Sequence, residues 1–213
     1  MLFTLLSDPI NNWPFFLTWV LALLLAITVH ECMHAWTANY LGDPTAKHMG
    51  RISLNPIRHL DPIGTVAILL IGIGWGKPVQ INERNFKNPR LGSAIVSLAG
   101  PLSNLGIVVI FLVLIKIGLI TSTVLLPIFA TIVLVNIILM VFNLLPIPPL
   151  DGSKVLYYFL PRSVDIVKLE MYGPFIILLL FFFGRGLLGF LISGSVSLIS
   201  TVTGVPIIDL TPF

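Results

Sequence analysis

The chain has 213 residues, of which 56% are hydrophobic and 10% charged, with a mean hydropathy of +1.02. A water-soluble domain carries about 25% charged residues, so this surface is built for hydrocarbon, and a net charge of +3 is too small to suggest nucleic-acid binding. A single cysteine, Cys32, excludes an intrachain disulfide and a cysteine-based zinc cluster. The composition marks one domain, residues 1–213.

A helix needs about 20 apolar residues to cross the hydrocarbon core. The first candidate runs from about Pro14 to Leu41, with Pro14 suited to a first turn and Gly42-Asp43-Pro44 as a stop. No Lys or Arg precedes it, so it lacks a cleaved signal's layout and is expected to stay in the mature protein. Residues 42–90 are rich in Gly, Pro, Asn and charge. Within them Gly64–Val79 is apolar, but Gly72, Gly74, Gly76 and Pro78 disfavour a helix. It reads as strands or a re-entrant loop beside a hydrated site, with a short helix as the alternative. Further spans are expected at about Leu91–Ile120, Thr123–Leu145, Val164–Phe183 and Gly186–Thr203, with a short helix from Asp151 to before Pro161. The expected fold is therefore an all-α polytopic membrane protein. It has about five transmembrane helices, with a re-entrant β-like segment between helices one and two.

Seven Lys and Arg residues, from Lys47 to Arg90, fall between helices one and two, and Lys154, Arg162 and Lys168 fall in or beside the segment joining helices three and four. The positive-inside rule then places residues 42–90 and 146–165 in the cytoplasm and the N-terminus outside, in a plasma membrane.

The chemistry is concentrated in His30-Glu31-Cys32-Met33-His34. Residues i and i+4 share a helix face, so His30 and His34 present two imidazoles to one point. Glu31 is placed to take a proton from a zinc-activated water and pass it to a leaving amine. Polar groups on a spanning helix are costly and usually functional. Cys32 between the histidines reads as helix packing, and Trp36 and Trp75 as interface anchors.

A catalytic zinc takes three protein ligands and a water. Candidates for the third are Asp43, His48, His59, Asp61, Asp151, Asp165 and Glu170. Asp43 and Asp61 sit in Asp-Pro turns, the two histidines in a basic loop, and Asp165 and Glu170 near a helix start. Asp151 stands apart, at the membrane level of His30 and His34, although helix capping alone would also account for it.

His30–His34, Ala99-Gly-Pro-Leu-Ser-Asn104 and Phe142-Asn-Leu-Leu-Pro-Ile-Pro-Pro-Leu-Asp-Gly152 together resemble the site-2 proteases, the M50 family of intramembrane zinc metalloproteases. Gly76–Val79 and Asn85–Gly92 look like that family's loop before its next core helix. The resemblance implies one Zn2+ per chain held by His30, His34 and Asp151, with Glu31 as catalytic base. It implies that Asn143 lies in the cleft and holds the substrate backbone or polarises the scissile carbonyl. Asn143 is also an amide on an apolar helix, two turns before Asp151 if the prolines allow helical spacing. Asn104 is read as core packing or hydrogen bonding, with a site role as the alternative. PDZ and CBS domains, which many members carry, have no room here, so the form expected is minimal.

The expected partners are a transmembrane protein substrate and the lipid bilayer, with no nucleic acid. The sequence does not specify an oligomeric state. A helical substrate must unwind to expose a peptide bond, and Gly64–Val79 is the expected strand edge to hold it. The polar 42–62 segment would line a water path. A membrane zinc transporter or an inert scaffold could be built on the same ligands.

Overall fold

A computed structural model describes residues 9–71 and 75–207. Its helices are α1 (Pro9–Tyr40), α2 (Thr45–His48), α3 (Pro62–Ile71), α4 (Pro89–Lys116), α5 (Leu125–Asn143), α6 (Asp151–Phe159), α7 (Ile166–Phe183) and α8 (Arg185–Thr203). Five of them, α1, α4, α5, α7 and α8, are long and apolar enough to cross a membrane. That matches the expected number, and all five lie close to the expected spans.

In hydrocarbon, helices associate where small residues let backbones approach. On α1 the positions Ala22, Ala26, His30, His34 and Ala38 recur every four residues and all are buried. The matching face of α4 carries Ser93, Ser97, Gly100, Asn104, Val108 and Leu112. Helix α4 packs against α1, α5 and α6, which makes it the centre of the bundle. Val108 and Leu112 meet Val133 and Ile137 of α5 and Val196 of α8. Ala22 and Ala26 meet Val135. Large apolar side chains such as Leu17, Leu21, Val109, Ile110, Phe175 and Phe182 point outward, as a lipid-facing surface requires.

Two sequence expectations are corrected. Helix α1 begins before Pro14, which lies inside it. The second correction concerns Gly64–Val79, which is not β-like. Its first half lies in α3, and among the described residues the only β pairing is an isolated bridge between Leu60 and Gly76.

Asp61 explains the helix. Its Oδ1 accepts from the backbone N–H of Ile63 (3.0 Å) and Gly64 (2.9 Å), while Pro62 supplies a preset first turn. Of the residues that argued against a helix, Gly76 and Pro78 lie beyond α3, and Gly72 and Gly74 lie outside the described residues. The chain then folds back so tightly that a Cβ on Gly64 would stand 2.1 Å from the Trp75 carbonyl oxygen.

Candidate metal centre

Helix α1 delivers two imidazoles to one point. The Nε2 atoms of His30 and His34 are 3.0 Å apart. Asp151, in the first turn of α6, brings Oδ2 to 3.1 Å from His30 Nε2 and 3.3 Å from His34 Nε2. Both histidines are buried and Asp151 is half-buried. Of the seven candidates for a third ligand, the structure brings Asp151 to the histidines.

The second nitrogen of each ring fixes its tautomer. His34 Nδ1 lies 2.7 Å from the Val96 carbonyl oxygen, which only accepts, so this nitrogen carries the hydrogen. His30 Nδ1 lies 2.7 Å from Asn104 Oδ1. The Asn104 amide is oriented by its other end, where Nδ2 donates to Asn136 Oδ1 (2.8 Å) and to the Ala26 carbonyl (3.3 Å). Its oxygen must then face His30, which donates from Nδ1. Both Nε2 lone pairs are thereby left facing Asp151.

This donor set fits zinc. Two neutral imidazoles and one carboxylate form a catalytic zinc ligand set, and ligand atoms at about 2.0–2.1 Å from a tetrahedral ion stand roughly 3.3–3.4 Å apart. Asp151 Oδ2 is buried and has no hydrogen-bond donor, so it lacks the partner that a buried carboxylate oxygen requires.

The close packing extends to the backbone. A Cβ on Gly100 would stand 2.5 Å from His34 Nε2 and 2.6 Å from His30 Nε2. A Cβ on Gly152 would stand 2.2 Å from the Leu144 carbonyl oxygen, so a glycine after Asp151 lets α6 start against the end of α5.

Glu31 is not part of the cluster of three convergent side chains. Its Oε2 accepts the backbone N–H of Val79 at 3.1 Å and lies 3.8 Å from an Arg51 guanidinium nitrogen. Asn143 stands at the end of α5, half-buried, donating from Nδ2 to the Leu139 carbonyl of its own helix at 3.0 Å. Among the described residues none donates to its Oδ1.

The remaining candidates have structural roles or stand outside the site. Asp43 is fully buried and accepts from Thr45, Asn82 and Asn85, stapling the end of α1 to the loop before α4. Asp61 caps α3 and Asp165 caps α7. His48 is exposed. His59 is fully buried, its Nε2 2.7 Å from the Ser53 carbonyl, and burial pushes its imidazole below its usual value. Glu170 pairs with Lys154 at 2.7 Å. Asn136 and Arg51 were not among the sequence candidates. Asn136 could have been found as an amide on an apolar helix, the same signal that singled out Asn143. Arg51 sits in a basic loop, and no local pattern announces its burial.

Peptidase family M50 matches residues 114–181, a span that contains Asn143 and Asp151. YwhC of Bacillus subtilis (strain 168), named as a candidate zinc metalloprotease, is 41% identical over 183 residues, which cover 81% of this chain and 82% of its own. Rip2 of Mycolicibacterium smegmatis, named in the same way, is 31% identical over 155 residues, 68% of this chain and 58% of its own. Rip2 of Mycobacterium tuberculosis (strain H37Rv) is 30% identical over 146 residues, 62% of this chain and 53% of its own. No solved structure matches the chain.

Proposed function

The chain belongs to peptidase family M50, and from that premise we propose that it is an intramembrane zinc metalloendopeptidase acting on transmembrane protein segments near the cytoplasmic side of the bilayer. The observation that carries this reading is the convergence of His30, His34 and Asp151 among five apolar helices.

One Zn2+ would be held by the two Nε2 atoms and Asp151 Oδ2. When bound, it supplies Lewis acidity and lowers the pKa of water toward 7. Asn104 and the Val96 carbonyl hold the imidazoles in the ligating tautomer. Glu31 takes the proton from the attacking water and returns it to the leaving amine. One Glu31 oxygen is occupied by Val79 N–H, which leaves the other for this proton. Asn143 Oδ1, at the end of α5, is available to a backbone N–H of an unwound substrate. The basic residues between α1 and α4 and after α5 support a cytoplasmic position for the site and an N-terminus outside.

The test uses purified protein in detergent with labelled transmembrane peptides. Wild type should cleave, and chelator should stop it. Glu31→Gln should lose at least about a hundredfold in rate while keeping its zinc. Full activity in Glu31→Gln would sink the assignment of the base. A zinc-loaded wild type inert toward every peptide would favour metal transport over proteolysis.

A further inference from the structure

Arg51 is a buried cation in the polar loop that follows α1. Gly50 precedes it at φ +68, a left-handed backbone conformation that favours glycine. The turn sends Arg51 inward, where it is 5% exposed. One guanidinium nitrogen donates to the Arg58 carbonyl at 2.5 Å, and another donates to the Lys77 carbonyl. Among the described residues the only carboxylate within 4 Å of it is that of Glu31, at 3.8 Å and itself 14% exposed.

Three chain segments therefore meet on one side chain: residue 51, the turn at Arg58 and the extended segment at Lys77. The last of these also supplies Val79, whose N–H donates to the same Glu31 oxygen that faces Arg51. Gly76 completes the layer, since a Cβ there would stand 2.8 Å from Ile27 Cγ2 and 3.8 Å from Glu31 Cγ. A buried charge needs a partner and fixed donors, and a planar guanidinium can hold two carbonyls and a carboxylate in one fixed arrangement.

We propose that Arg51 is a positioning residue for Glu31: by fastening the 76–79 segment it fixes the Val79 N–H and its own charge on Oε2, and so aims Oε1 at the reacting water. Catalysis rests here on the metalloprotease reading above, whereas the fastening does not. Lysine keeps the charge but cannot span two carbonyls and a carboxylate in one plane. The consequence is a catalytic base that is present, ionisable and misaimed.

The experiment measures the full chain in detergent by three readouts: zinc affinity against a competing chelator, amide hydrogen exchange across residues 75–82, and kcat and KM on a labelled transmembrane peptide. In Arg51→Lys, zinc affinity should stay within about twofold, Val79 exchange should accelerate at least tenfold, and kcat should fall at least tenfold at unchanged KM. An unchanged kcat, or unchanged Val79 protection, overturns the proposal. A loss of zinc with the loss of rate also overturns it, because Arg51 would then be supporting the fold of the metal centre. Should Arg51→Lys not fold, Arg51→Gln, which removes the buried charge and keeps one donor, is measured in the same way. Glu31→Ala reads the contact from the other side without altering Arg51. Val79 exchange should accelerate there too, and equal protection counts against the arrangement. If wild type cleaves no peptide, the protease reading fails, while exchange and zinc affinity still decide the positioning.

Discussion

The amide of Asn104 lies fully buried between His30 and Asn136, and each of its ends has a defined partner. Ligating histidines depend on such a partner for tautomer and ring orientation, and losing it typically costs 10–100-fold in metal affinity. Asn104→Leu should therefore raise the zinc Kd by about 10–100-fold, measured by chelator competition, with helix content retained. The cluster of His30, His34 and Asp151 was readable because the two histidines are spaced within one helix, and because a proline-rich segment ending in Asp151 returns to the same level. Asn104 was left between packing and function because its partners, His30 and Asn136, lie 74 and 32 positions away. Arg51 was missed for a related reason. Its burial depends on a left-handed glycine and on two carbonyls contributed by separate turns, and none of this is periodic.

At the level of elements, the long helices were legible because hydrocarbon length and apolar composition are strong, local signals. Their ends were less so, as the entry of α1 before Pro14 shows. The Gly64–Val79 segment failed because Gly76 and Pro78, which lie beyond α3, were weighed as if they lay within it. The Asp61-Pro62 cap is the better guide, a turn-or-capping signal that marks where α3 starts. The pairing of α1 with α4 gives a test at this scale. Gly100 lies where α4 meets both imidazoles, and no side chain fits at 2.5 Å. Gly100→Ala should separate the two helices at the site and cut bound zinc to below about a tenth of the wild-type content, since even small misplacement of ligands weakens a metal site. Metal analysis of the purified variant checks this, and circular dichroism should show the helices intact. Gly106→Ala, on the same helix with open space around it, should bind zinc like wild type.

For the whole molecule, acid stability turns on Asp43. Burial alone would raise its carboxyl, but the Thr45 hydroxyl, the Asn82 N–H and the Asn85 amide outweigh it and hold it below its usual value. The unfolded chain then takes up that proton first, at about pH 3.9. The stability contributed by Asp43 is therefore complete above that pH and is lost as pH falls through the lower folded value. Asp43→Asn should cost about 2 kcal/mol at neutral pH, lowering Tm by roughly 4–8 °C. The variant should also show a flatter acid limb, read by thermal unfolding between pH 3 and 7. The sequence offered Asp43 as a turn residue, which is correct locally. Its long reach to residues 82 and 85 is a property of the assembled bundle.

The exposed, stacked pair Trp36–Tyr40 sits just beyond the histidines on α1. Such amphipathic rings settle at the headgroup level, so His30 lies about 9 Å deeper than Trp36 along the helix. On the proteolytic reading, this depth makes the two products unequal. A cut there divides a span of about 20 residues into a short stub of about six and a long one of about fourteen. The short stub is too small to anchor whatever it is attached to, and the long stub remains lipid-bound. Cleavage at this depth would thus release the polypeptide on the near side of the membrane and retain the rest, giving the reaction a direction set by the position of two aromatic rings.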